Sequence, residues 1–265
     1  MDNIAHKILV LSGKGGVGKS TVAVNFAVWL SMQGKKVGLL DIDIHGPSVP
    51  TLLKVEDKNV REKAGKIDPV SYSDNLKIMS IGFLLPGDDS PVIWRGPMKH
   101  NLIKQFTSDV DWGRLDFLVI DCPPGTGDEA LSIVQTVPNA DGAIVVTTPQ
   151  QLSVIDVKKC ISFCRQLHLP VLGVIENMSG FVCPVCKSKT EIFKSHGGQQ
   201  IAEKFNIPFL GKIPIDGSVV SACDSGEPII QFDKQSHIAE SFNSAFVPLL
   251  KKDNHFHLEK EVKVQ

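Results

Sequence analysis

The chain has 265 residues, with 28 Lys and Arg against 29 Asp and Glu, a net charge of −1. That balance gives no overall basic field for nucleic acid or an acidic membrane surface, while 42% apolar residues are enough for a substantial core. Six cysteines in a chain of this length are too few for a disulfide scaffold, so paired cysteines point instead to metal or redox chemistry in a reducing compartment.

The opening MDNIAHKILVLSG holds only the short apolar run ILVL, too short for a signal segment. No later run reaches the ~18 apolar residues of a membrane span. The expectation is a cytoplasmic protein. Along the chain, near-continuous Val/Ile/Leu runs recur at 7–12, 36–43, 76–83, 115–122, 142–149, 170–177 and 208–216. Strands buried on both faces of a parallel sheet read this way. Helix-like segments fall between them at 19–33, 97–108, 127–137, 151–167, 196–205 and 235–250. In the first, Val22, Phe26, Trp29 and Leu30 fall at helical spacing, and Gly34 is a natural stop. The alternation predicts an α/β fold, a doubly wound, mostly parallel sheet with helices on both faces.

Two stretches break the rhythm. Residues 54–75 are polar and charged and read as a surface excursion. Residues 178–195, MSGFVCPVCKSKTEIFKS, read as a small inserted hairpin. The expected organisation is one domain over 1–251, followed by a charged tail, 252–265, with the composition of a disordered segment.

Residues 13–20 fit G-x-x-x-x-G-K-[ST], directly after a predicted strand and opening a predicted helix. Gly13, Lys14, Gly15, Gly16, Val17, Gly18, Lys19, Ser20 and Thr21 would curl round the phosphates of ATP. Backbone N–H groups and the helix N-terminus supply positive potential. Lys19 reaches the β- and γ-phosphates, and the Ser20 hydroxyl suits Mg²⁺. Asp121, after the apolar run FLVI, suits Mg²⁺ through water. Asp41 and Asp43, two apart on a strand, share one side of it, and one of them is placed to orient the attacking water.

Cys183 and Cys186 form C-P-V-C inside the second interruption. Both thiolates can reach one metal or cluster, yet a closed thiolate site commonly takes four ligands. Two copies related by a two-fold axis would supply four. A [4Fe–4S] cluster, zinc in the same site, a redox couple and a purely structural turn all remain open on these residues alone. Cys122, Cys160, Cys164 and Cys223 read as packing residues, His45 as an exposed loop histidine, and Arg95 as a contact residue just before the helix start at Pro97.

With Lys14 added, GKGGVGKST resembles the deviant phosphate loop of the MinD/ParA/nitrogenase-iron-protein class of ATPases. Together with DIDIHGPS, WRGPM, DCPPGTGDE, TTPQ, ENMSGFVCPVC and IPID it resembles one branch more closely, the Mrp/ApbC-type iron–sulfur cluster carriers, over about residues 5–250. The resemblance implies a homodimer in which Lys14 reaches the partner's nucleotide. It implies that Asp43 orients water, that Asp41 assists at Mg²⁺, and that Asn177, Pro214 and Asp216 contact adenine. It further implies a [4Fe–4S] cluster shared between subunits on Cys183 and Cys186, slow ATP hydrolysis, and delivery to apo iron–sulfur client proteins, with neither nucleic acid nor membrane as partner. Two other readings are a zinc-stapled regulatory ATPase and a MinD/ParA-like positioning ATPase. The mixed-sign tail KKDNHFHLEKEVKVQ is unlike a membrane-binding helix and argues against the latter.

Overall fold

The computed structural model describes residues 1–63, 65–84, 96–183, 185–186 and 188–251. Arg95 and the tail 252–265 lie outside them. The elements run β1 (Ile4–Ser12), α1 (Lys19–Met32), β2 (Val37–Asp41), α2 (Val49–Leu52), β3 (Arg61–Lys63), β4 (Lys66–Asp68), β5 (Val70–Ser73), β6 (Leu76–Ser80) and α3 (Gly96–Ser108). The second half continues with β7 (Leu115–Asp121), α4 (Asp128–Thr136), β8 (Gly142–Thr147), α5 (Gln151–Gln166), β9 (Val171–Val182), β10 (Lys189–Thr190), α6 (Gly197–Phe205) and β11 (Phe209–Ile215). Three helices close the described chain: α7 (Gly217–Ser225), α8 (Ile229–Phe232) and α9 (His237–Lys251).

The main sheet has the order β10-β9-β8-β1-β7-β2-β6-β5, with β11 also paired to β9. The pairs among β11, β9, β8, β1, β7, β2 and β6 are parallel; β5 and β10 join antiparallel. Every parallel strand predicted from sequence is present. The 54–75 excursion is more ordered than its composition suggested. It folds into the β3–β4 hairpin and the edge strand β5, because polar side chains are tolerated where one face meets water.

Side-chain alternation divides the core into two layers. Ile8, Val10, Leu39, Val119, Ile144 and Val146 face a cluster with α1, α8 and α9. Leu9, Leu11, Leu40, Leu118, Ile120, Ala143 and Val145 face the opposite cluster with α3, α4, α5 and α6. Helix α1 is buried at every residue from Val22 to Ser31, not on one face alone. The reason is α9, which covers its outer side: Phe246 meets Phe26 at 5.0 Å and Trp29 at 5.7 Å between ring centroids. Trp29 Nε1 also donates to Asn243 Oδ1 at 2.9 Å. This clamp fixes the helix that begins at the phosphate loop.

Phe246→Ala should therefore cost about 3–5 kcal/mol of unfolding free energy, the range for emptying a fully buried aromatic site. Urea unfolding checks it. A change under about 1 kcal/mol would mean that α9 is not the clamp on α1.

Candidate functional site

Strands β1, β2, β7, β8 and β9 all end on one edge of the sheet, and the loops leaving them meet there, as expected for a doubly wound fold. The chain leaves β1 at Ser12, turns through residues 13–18, and enters α1 at Lys19. Gly18 holds φ of 79° and offers no side-chain cap, so the first N–H groups of α1 stay open toward the loop. A Cβ on Gly18 would strike the Asn177 side chain, and one on Gly13 would run into the Asp156 backbone. At these two positions the loop lies too close to α5 and β9 for a side chain. It encloses a cavity of about 310 Å³ lined by Lys14, Lys19, Ser20 and Asp43 among others.

Lys19 sits deep in this cavity's wall. Its Nζ lies 2.6 Å from Asp121 Oδ1, 3.3 Å from Ser20 Oγ and 3.7 Å from Asp43 Oδ2. Burial by itself would lower the ammonium pKa. The Asp121 charge and hydrogen bond outweigh it, with Asp43 and Asp41 adding, so Lys19 is held above its usual range. Register places Asp41 of β2 directly beside Asp121 of β7, both fully buried. Burial, then the Asp121 charge, pushes Asp41 up to about 7, against the hydrogen bonds from Asp43 and Ser80 and the Lys19 charge. Burial also raises Asp121, opposed chiefly by Lys19.

The two carboxylates differ in their partners. Asp41 Oδ1 accepts from Asp43 N–H at 3.1 Å; its Oδ2 accepts from Ser80 Oγ at 2.8 Å and Val49 N–H at 3.3 Å. With both oxygens engaged, Asp41 anchors the 43–49 loop and is less open as a metal ligand than the resemblance implied. Asp121 Oδ2 is buried with no hydrogen-bond partner among the described residues. A buried carboxylate oxygen left unpaired beside the Ser20 hydroxyl is the donor set of a hard divalent cation.

Lys14, half-buried, donates to Gln150 Oε1 at 3.3 Å. Asn177, on β9, donates to Val17 O at 2.9 Å and so touches the phosphate loop. Pro214 does not line the cavity but a different hollow, near β10. The Asp216 side chain caps α7, accepting from Ser218 N–H at 2.8 Å. Neither lines the phosphate-loop cavity, although both follow Ile213, the register partner of Asn177, on a parallel strand that ends at the same edge of the sheet. His45, at the exposed surface, lies 3.3 Å from Lys99 Nζ and 3.5 Å from Glu129.

The C-P-V-C cysteines occupy the turn between β9 and β10. Cys183 N–H donates to Ser188 O at 2.9 Å, and the Cys186 Sγ lies 3.0 Å from Ser188 Oγ. Cys183 is half-buried, Cys186 exposed, and Val185 between them is 89% exposed. Hydrogen bonds from Ser188 and Cys183 bring the Cys186 thiol down to about 7, which favours the thiolate. Among the described residues no group of three or more His, Cys, Asp or Glu is arranged to hold a metal ion. The pair therefore needs donors from elsewhere to close a four-ligand site. Cys122, Cys160 and Cys164 are buried, as expected of packing residues.

Two residues carry weight that the sequence did not reveal. Gln150 positions Lys14, and only its place at the end of the β8 loop, in TTPQ, hinted at it. Glu176 is fully buried on β9. It accepts from Ser179 Oγ at 2.5 Å, His196 N–H at 3.2 Å and Gly198 N–H at 2.6 Å, tying the thiol hairpin to the start of α6.

A family model described as NUBPL iron-transfer P-loop NTPase, of the ParA group, matches residues 3–249. The chain is 54% identical over 233 residues to an iron–sulfur cluster carrier protein of Methanocaldococcus jannaschii, covering 88% of this chain and 80% of that one. It is 55% identical over 230 residues to a cytosolic Fe-S cluster assembly factor NUBP2 homolog of Dictyostelium discoideum, covering 85% and 87%. Among solved structures, a nucleotide-binding protein of Archaeoglobus fulgidus in complex with ADP matches with a TM-score of 0.78 at 39% identity, over 91% of this chain and 93% of that one. The MinD cell division protein of Aquifex aeolicus shares the fold, with a TM-score of 0.68 at 22% identity over 93% and 97%.

The raised Asp41 pKa has a signed consequence for the protein without nucleotide or metal. A carboxylate at about 7 when folded and 3.8 when unfolded binds more protons in the native state between those values. Its ionisation then costs stability progressively from about pH 4 to pH 7. Asp41→Asn should match the wild type in urea unfolding below pH 4 and gain on it up to pH 7. Parallel stability profiles across that window would refute the burial argument.

Proposed function

This chain belongs to the NUBPL iron-transfer P-loop NTPase family, and from that premise we propose that it is an ATP-dependent carrier of iron–sulfur clusters, working as a homodimer. The observation that carries this reading is the continuity of β9. One strand contacts the phosphate loop through Asn177 and leads directly into Cys183. The two sites lie six positions apart on it, and the strand bulges between them: Met178 and Gly180 hold positive φ, and the pairing with β11 shifts register between Ile213 and Ile215. A shift at the nucleotide thus has a short, continuous backbone route to the thiols. The names of the 54% and 55% identical relatives support the same reading.

Within each subunit the loop N–H groups and Lys19 bind the phosphates of ATP. Ser20 and the free oxygen of Asp121 would hold Mg²⁺, which neutralises phosphate charge when bound. Asp43 orients water for in-line attack on the γ-phosphorus, and the bond to the bridging oxygen of ADP breaks to give ADP and phosphate. Lys14 acts across the dimer. Its hydrogen bond to Gln150 is long, at 3.3 Å, so little is lost when it turns to a partner's γ-phosphate. Asn177 touches the phosphate loop, and Pro214 and Asp216 follow its register partner Ile213 on β11, so the adenine contacts are assigned to all three. Such a charge arrives only on assembly, which keeps the isolated subunit slow. The cluster is cargo: Cys183 and Cys186 of two copies supply four thiolates, and an apo client protein takes the cluster from them. Chain 1–251 acts as one ATPase unit in this scheme.

Anaerobic reconstitution with ferrous iron and sulfide tests the proposal. The expected product is a brown dimer with broad visible absorption, absent in Cys183→Ser. Lys19→Ala should still load cluster but fail to deliver it to an apoprotein, and Lys14→Ala should bind ATP yet hydrolyse it at least ~10-fold more slowly. Zinc as the only metal in anaerobically purified protein, or undiminished delivery by Lys19→Ala, would overturn the carrier reading. Full-speed turnover by a strict monomer would overturn the role of Lys14.

A further inference from the structure

A second hollow, of about 300 Å³, opens beneath the β9–β10 hairpin. Its floor is apolar, with Phe181 and Pro214 half-buried there. Its rim is basic, with two lysines and a histidine from three separate elements: Lys189 from β10, Lys212 from β11 and His196 from the start of α6. Lys212 Nζ lies 2.7 Å from His196 Nδ1, a contact in which the imidazole nitrogen accepts. Among the described residues no carboxylate pairs with Lys189 or Lys212, although Glu191 lines the same hollow. An ammonium held against a histidine nitrogen is poorly neutralised, and a carboxylate placed there would relieve it.

The hollow also adjoins the thiol turn. Lys189 pairs with Val182 across the hairpin, and the next residues inward are Ser188 and Cys183, themselves hydrogen-bonded. Whatever fills the hollow touches both strands of the hairpin that bears the thiols.

We propose that this hollow docks an acidic segment of a protein partner, with carboxylates on Lys189 and Lys212 and an apolar side chain against Phe181 and Pro214. A free phosphate would satisfy the rim but leave the floor uncovered. A membrane surface is flat, whereas this site is concave and its floor lies below the rim. Charge at the rim steers the encounter and sets its direction, and the buried apolar contact adds affinity. Binding of the segment stands on the chemistry of the hollow itself. That the bound protein then receives or supplies a cluster rests on the carrier reading above.

The full-length chain titrated with a fluorescein-labelled octapeptide alternating Glu with Phe and Leu tests this by anisotropy. Saturable binding that weakens with added salt is expected. Lys189→Glu with Lys212→Glu should weaken it about tenfold or more, and the milder Lys212→Met should fall between. Lys58→Glu, on a different surface, should leave it unchanged, and ATP hydrolysis should be the same in all of them. Equal binding to the double variant, or equal binding of a Lys/Phe/Leu peptide, overturns the proposal. The two readings fail separately. Loss of peptide binding with normal cluster delivery by the double variant confirms the docking site and removes its link to delivery. Absence of peptide binding in a wild type that delivers clusters removes the docking site and leaves the carrier reading standing.

Discussion

The buried contact between Lys19 and Asp121 organises the whole nucleotide edge. It joins the first turn of α1 to the end of β7 at 2.6 Å, across the seam where the phosphate loop lies. The charges there do not balance. One ammonium faces Asp41, Asp43 and Asp121, and two of these carboxylates are fully buried. Breaking such a pair from one side typically costs about 3–5 kcal/mol, because the remaining charge stays buried and uncompensated. Burial first, and then the charge of Asp121 beside it, lifts Asp41, and one oxygen of Asp121 is left without a partner among the described residues. The site is therefore electrostatically incomplete, and a divalent cation bound with phosphates would complete it.

The second organising feature is β9. Most strands of this sheet serve one site through the loop at their end. This one passes the phosphate loop at Asn177 and continues five residues further to Val182, pairing with β11 on one edge and β10 beyond. Glu176, immediately before Asn177, binds two N–H groups at the start of α6 and the Ser179 hydroxyl at the base of the hairpin. The adjacent pair thus faces two ways: one side chain to the nucleotide loop, the other to the hairpin. A buried carboxylate satisfied by three donors is a stiff joint.

The aromatic clamp on the other layer supports both. Phe242 and Phe246 from α9 pack with Phe26 and Trp29, so α1 is enclosed on all sides. A helix that must present its first turn to a highly charged ligand gains from being immobile along the rest of its length. The all-round burial of Val22 to Ser31 is how this fold achieves it.

The phosphate loop, the parallel strands and the cysteine pair were legible in the sequence because each is a local pattern. A glycine-rich turn before a helix, a run of branched apolar residues, and C-x-x-C depend on neighbours a few positions apart. Three matters were decided only by the tertiary structure. The β2–β7 register sets Asp41 against Asp121, and the residues between them carry no sign of it. Glu176 reads in sequence as a charged residue at a strand end, and only α6 folding back reveals why it is buried. Pro214 and Asp216 sit within IPID, and nothing in that spacing shows that one lines a second hollow and the other caps α7. Local pattern fixes which chemistry a segment can offer. Which groups meet is fixed by strand order and register, because those bring together residues that no spacing rule connects.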